Sequence, residues 1–144
     1  MPRIKLEVPS AFSFSTKIPV RITDLNYGGH VGNDTILTFI HEARIQFLKN
    51  AGYSELDFAG VGMIMSDVMI EFKNELFYGD EIIASVAIGE FSKVGFDLFY
   101  KLEKEQNNTK ILVATAKTGM VCYDYQKKKV VAVPEDAKTK LNVS

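Results

Sequence analysis

Asn33-Asp34-Thr35-Ile36-Leu37-Thr38-Phe39-Ile40-His41-Glu42-Ala43-Arg44-Ile45-Gln46-Phe47-Leu48-Lys49-Asn50-Ala51 is the stretch on which the fold class turns. Ile36, Leu37, Ile40, Ala43, Phe47, Leu48 and Ala51 recur at the 3.6-residue helical period, and Gly52 stands where a C-terminal cap belongs. The spacing predicts one long helix over 33–51. Asn33 or Gly32 is placed to cap its start, and Asp34 in the first turn suits the positive end of the helix dipole. Asp34, Thr38 and His41 share a face, since seven residues at 100° each bring Asp34 and His41 within about 20°. Ile36, Ile40, Ala43 and Phe47 form the opposite, apolar stripe.

Working outward, the texture on both sides is β-strand. Runs of apolar or alternating residues broken by turn chemistry predict strands over 15–23, 63–72, 81–91, 95–103, 111–125 and 130–133. Turns are expected at Tyr78-Gly79-Asp80, at Gln106-Asn107-Asn108 and at 127–129. One helix with a broad apolar face and five to six strands imply an α+β domain over 1–144, a curved antiparallel sheet wrapped around a central helix. Open sheet edges and an uncovered face favour pairing with a second copy, so a homodimer or homotetramer is expected.

Composition narrows the function classes. The 144 residues are 47% hydrophobic and 24% charged, with a net charge of −1 and no long block of one sign, which describes one globular core and argues against nucleic acid as a partner. No window approaches the ~18 consecutive apolar residues of a membrane span. The first nine residues hold no apolar stretch of signal-peptide length, so a cytoplasmic location is expected. The single Cys122 sits in an apolar run and reads as a small buried hydrophobe. His30, His41 and Cys122 are the only histidine and cysteine side chains, too few and too scattered for a zinc centre, so no metal is expected.

The chemistry is concentrated in Arg21-Ile22-Thr23-Asp24-Leu25-Asn26-Tyr27-Gly28-Gly29-His30-Val31-Gly32-Asn33-Asp34, immediately before the helix. Adjacent glycines let the backbone come close to a ligand, and a helix start offers unpaired N–H groups to an oxyanion or phosphate. Asp24, Asn26, His30, Asn33 and Asp34 crowd the same place.

This stretch resembles the signature of the hotdog-fold thioesterases of the 4-hydroxybenzoyl-CoA thioesterase type, approximately Asp-x-Asp-x-x-Gly-His-Val-Asn-Asn before a helix ending Glu-Ala-Arg. Here it stands as Asp24-Leu25-Asn26-Tyr27-Gly28-Gly29-His30-Val31-Gly32-Asn33, then Ile40-His41-Glu42-Ala43-Arg44. Ile70-Glu71-Phe72 with Tyr78-Gly79-Asp80-Glu81-Ile82, and Thr118-Gly119-Met120-Val121 with Asp124 and Pro134, are similar to later parts of that family. The resemblance implies a hotdog fold, an acyl-CoA substrate, hydrolysis of its thioester, and no cofactor beyond the coenzyme A of the substrate.

The sequence departs from the signature at its catalytic carboxylate, which is Asn26 here; an amide orients water or donates a hydrogen bond but is no general base. Asp34 and His41 also differ from the family pattern, and the expectation is that Asp34 supplies the base or nucleophile while Asn26 holds water or substrate. Helix-start N–H groups near 28–30 would then stabilise the oxyanion. The catalytic candidates are thus Asn26, Asp34, His30 and His41; the candidates for substrate contact are Tyr27, Gly28, Gly29, Met63, Met65 and Ser66. Glu42 and Arg44 read as a structural ion pair. Two other functions fit the fold, an acyl-thioester hydratase or dehydratase and a non-catalytic acyl-CoA-binding domain.

Overall fold

The computed structural model describes residues 4–141. Its elements are β1 (Phe14–Pro19), a 3-10 turn (Ile22–Asp24), α1 (Asn33–Asn50), β2 (Gly62–Phe72), β3 (Glu81–Phe91), β4 (Gly95–Gln106), β5 (Thr109–Asp124), β6 (Lys129–Val130) and α2 (Glu135–Leu141). All strand pairs are antiparallel, in the order β1-β3-β4-β5-β2 with β6 on β5. The expected hotdog arrangement of five to six strands around one central helix is the observed one, with six strands among the described residues.

The α1 periodicity holds except at Leu37, which is exposed where Phe39 is buried instead. Ile36, Ile40, Ala43, Phe47 and Leu48 are buried in one cluster with Ile82, Ala84 and Val86 of β3, Leu98, Tyr100 and Leu102 of β4, and Ala114 and Ala116 of β5. Asp34, Thr38 and His41 are exposed on the other side. The helix ends one residue before the expected limit. Ala51 is the cap, Gly52 takes a φ of +86°, and the Gly52 and Tyr53 N–H groups donate to Lys49 and Leu48 carbonyls at 2.9 and 2.8 Å.

Two strand expectations are corrected. The first strand stops at Pro19 rather than running to 23, because Asp24, 6% exposed, accepts from the Arg21 N–H at 2.8 Å and folds the chain into the 3-10 turn. The last strand pairs only at Lys129–Val130, and the chain then enters α2, which sequence periodicity did not reveal; its seven residues complete barely two turns. The hairpin between β4 and β5 closes on Asn107 and Asn108, both at positive φ (54° and 62°), the conformation that a two-residue primed turn requires.

Beneath α1 runs a polar chain through the apolar core. Arg44, 5% exposed, donates from Nε to Glu55 Oε2 at 2.9 Å and from Nη1 to the Tyr100 hydroxyl at 3.3 Å, and Tyr100 is hydrogen-bonded to Thr118 Oγ1 at 2.7 Å. His41 Nε2 closes the outer end on Glu55 Oε1 at 2.9 Å. The expected Glu42–Arg44 pair does not form: Glu42 accepts from Gln46 one turn on, and Arg44 reaches the segment before β2 because its face of the helix is buried. Burial pushes the Glu55 carboxyl up, but the hydrogen bonds and charges of His41 and Arg44 outweigh it and hold the group below its ordinary 4.5. Burial raises the Tyr100 hydroxyl, which stays neutral, and pushes the Cys122 thiol up to about 11, leaving it a buried and unreactive side chain.

Removing one partner from this chain leaves the others buried without compensation. Arg44→Ala is therefore expected to cost about 3 kcal/mol in urea denaturation. A depressed folded-state value for Glu55 means stability that is complete above about pH 4.5 and lost as pH falls through the folded value. Glu55→Gln should accordingly flatten the acid side of a stability–pH curve, and an acid limb identical to the wild type would contradict the assignment.

Candidate active site

The entry to α1 is a tight, self-bonded turn. Asn26 N–H donates to the His30 carbonyl at 2.9 Å, and Gly29 N–H returns to the Asn26 carbonyl at 3.1 Å with Gly29 at a φ of +85°. Asn26 Oδ1 takes the Gly28 N–H at 2.8 Å. Val31 N–H then donates to the Leu76 carbonyl at 2.9 Å, which joins this turn to the segment following β2.

These bonds narrow the candidate oxyanion donors. The expectation placed them near 28–30, yet the Gly28 and Gly29 N–H groups are already spent on Asn26. The helix itself starts with Gly32 as N-cap and no side-chain cap. Among the described residues, no hydrogen bond uses the His30, Asn33 or Asp34 N–H, so the helix start adds two open donors to the one left within 28–30.

Three of the four catalytic candidates converge on this entry. A β-carbon built on Gly32 would lie 2.6 Å from Asp34 Oδ1 and 3.7 Å from Asn26 Nδ2; one built on Gly28 would lie 3.2 Å from Asn26 Oδ1 and 3.6 Å from His30 Nε2. Asn26, His30 and Asp34 thus pack against two glycines and fill the space that side chains at 28 and 32 would need. His30 Nδ1 lies 3.2 Å from the Val31 carbonyl, and Nε2 lies 3.9 Å from Glu75 Oε1. His41 is elsewhere, two turns along α1 and bound to Glu55.

A cleft of about 240 Å³ opens beside the turn, lined by His30, Asn33, Ile36, Phe72, Lys73 and Glu75 among others. A separate hollow of about 200 Å³ lies between β1 and α1, around Lys17, Arg21, Thr38 and Glu42, away from the open helix start. The substrate candidates divide. Gly28 and Gly29 belong to the entry turn, whereas Tyr27 projects fully into solvent. Met63 is 2% exposed and belongs to the core. Met65 is exposed on β2, and Ser66 sits at a bulge in that strand with its hydroxyl on the Gly119 carbonyl. Neither Met65 nor Ser66 lines the 240 Å³ cleft.

Sequence reasoning missed Glu75. It follows β2 with no periodic or motif signal of its own, and only the fold brings it to His30. The segment carrying it is firmly held: Lys104, 7% exposed, donates to the Glu75 carbonyl at 2.8 Å and pairs with Asp80 at 3.2 Å, and Asn74 Nδ2 donates to the Leu112 carbonyl at 2.7 Å. Among the described residues, no group of three or more histidine, cysteine or acidic side chains is arranged to hold a metal, and no helix is long and apolar enough to cross a membrane.

Comparison with known proteins places this geometry in a family. Residues 20–141 match the thioesterase-like superfamily. A 1,4-dihydroxy-2-naphthoyl-CoA hydrolase of Microcystis aeruginosa is 30% identical over 122 residues, covering 83% of this chain and 86% of that protein. Two solved structures share the fold. A 1,4-dihydroxy-2-naphthoyl-CoA thioesterase from Synechocystis has a TM-score of 0.79 and 21% identity, covering 90% of this chain and 96% of that one. The 4-hydroxybenzoyl-CoA thioesterase from Pseudomonas also has a TM-score of 0.79, with 17% identity, covering 90% and 99%. The chain belongs to the thioesterase-like superfamily and is, by that membership, a hotdog-fold thioester hydrolase.

Proposed function

We propose that the thioester this protein hydrolyses is that of an acyl-CoA, aromatic or aliphatic, giving the free acid and coenzyme A. The observation that carries the reading is the uncapped start of α1, with free Asn33 and Asp34 N–H groups beside a carboxylate, an amide and an imidazole. Free N–H groups at a helix start stabilise an oxyanion where it forms. Asp34 is the base or nucleophile in this proposal, and the Asn26 amide, already oriented by the Gly28 N–H, holds the attacking water or the substrate. A thiol with an ordinary pKa of about 8.5 leaves readily as thiolate, so the reaction asks little acid assistance. The coenzyme A of the substrate is the only cofactor that this chemistry involves.

A second copy of the chain is part of the proposal. β2 is an edge strand that exposes Ile64, Met65, Val68 and Phe72, and such an edge is stabilised by pairing. Phe72 also lines the cleft, so a partner on β2 would border the substrate. A dimer, or dimers joined into a tetramer, is the assembly proposed, in the cytoplasm.

A thiol-release assay over short, long and aromatic acyl-CoAs tests the activity. Asp34→Asn should lower kcat about 100-fold or more. Gly32→Ala should also lose activity with little change in stability, because Gly32 has a φ of −74° that alanine accepts while the new methyl displaces the Asp34 carboxylate. Full activity in both variants would remove Asp34 from the mechanism. Val68→Asp should shift the species in sedimentation equilibrium toward monomer, whereas an unchanged mass would show that β2 is not the contact.

A further inference from the structure

His30 and Glu75 face each other across the cleft, and neither the hydrolase reading above nor the sequence signature gives Glu75 a part. The Glu75 side chain is 63% exposed, and its only polar contact among the described residues is with His30. Its backbone is fixed by the buried Lys104 and by neighbouring bonds from Asn74 and Val31, so the carboxylate is held at the cleft rather than carried on a loose loop. The lysine lining the cleft, Lys73, is engaged with Glu71 at 3.7 Å.

The imidazole has two acceptors on its two nitrogens. The Val31 carbonyl lies 3.2 Å from Nδ1, and the Glu75 carboxylate lies 3.9 Å from Nε2. At 3.9 Å the Glu75 carboxylate lies beyond hydrogen-bond reach of Nε2, which leaves that nitrogen free to face a ligand in the cleft.

We propose that Glu75 is a positioning residue that holds His30 with its Nε2–H directed at the thioester carbonyl oxygen, alongside the open N–H groups of Asn33 and Asp34. The inference rests on the thioester-hydrolase reading. The water oxygen bonds to the carbonyl carbon as its proton passes to Asp34, and the carbonyl π pair moves onto oxygen, where His30 and the helix N–H groups meet the charge. The pair returns, the C–S bond breaks, and coenzyme A leaves as thiolate and takes up the proton from Asp34. One thioester and one water give one acid and one thiol, and His30 ends in the state in which it began. Glu75 touches no reacting atom and acts through the ring.

The test is a double-mutant cycle in the thiol-release assay. Glu75→Gln should lower kcat about tenfold, the scale of one lost charge-assisted contact, with KM within about twofold. His30→Gln should lower kcat about 100-fold, as the loss of one oxyanion donor does. The His30→Gln/Glu75→Gln double variant should be no slower than His30→Gln alone, and Glu75→Asp should recover part of the loss. Thermal melting of each variant checks that the fold is intact; Glu75 is exposed and its substitution leaves the Lys104–backbone bond in place. An active wild type with unchanged kcat in Glu75→Gln, or losses that multiply in the double variant, overturns the pairing and leaves the hydrolase reading standing. A folded wild type that releases no thiol from any acyl-CoA overturns the hydrolase reading and the pairing with it.

Discussion

One backbone hydrogen bond organises the site: Val31 N–H to the Leu76 carbonyl, 2.9 Å. It ties the entry turn of α1 to the segment after β2, two parts of the chain forty-five residues apart in sequence. On one side of it, Asn26, His30 and Asp34 are gathered by the turn; on the other, Glu75 and Phe72 are presented by the segment. Val31 is itself 6% exposed and Leu76 1%, so the bond is shielded from water, and a shielded bond is costly to break. The cleft lies between them, lined by His30 and Asn33 from one side and by Phe72, Lys73 and Glu75 from the other.

The helix that opens at this point is held from beneath. Its apolar stripe supplies most of the adhesion, since each buried aliphatic side chain contributes roughly 1.5–3 kcal/mol relative to exposure. Apolar contact tolerates sliding, however, and the chain from His41 through Glu55, Arg44 and Tyr100 to Thr118 does not. Directional bonds between α1, the segment before β2, β4 and β5 set the rotation of the helix about its axis. That rotation in turn sets where the Asn33 and Asp34 N–H groups point. A polar chain in a core is a modest source of stability and a strong source of register.

The fold was legible in the sequence because its signals are periodic. The 3.6-residue stripe from Ile36 to Leu48 and the strand runs over 81–91 and 95–103 each repeat enough times to be read. The misses fall where structure depends on a single contact. The first strand ends at Pro19, short of a turn that Asp24 closes through one side-chain hydrogen bond, and α2 is too short to show a period. In the site, Asn26, His30 and Asp34 were legible because they are near neighbours around a glycine-rich turn. Glu75 was not, since it meets His30 only after the sheet has formed. The reading of Arg44 failed for a related reason: its nearest acid in sequence, Glu42, points to solvent, and the acid it uses lies eleven residues on.

Asn26 and Asp34 are best understood together. Both side chains border Gly32, within 3.7 and 2.6 Å of where its β-carbon would stand. Two carboxylates in such positions would repel, and one of them would be driven toward its protonated form, which removes it as a base at neutral pH. An amide at 26 with a carboxylate at 34 keeps one negative charge in that space and adds an N–H donor facing it. The first acid of the signature, Asp24, is spent on the backbone of Arg21, so it offers no alternative. In the proposed mechanism the acid stands in the first turn of the helix rather than in the entry turn, at the positive end of the dipole, where an ionised carboxylate is favoured.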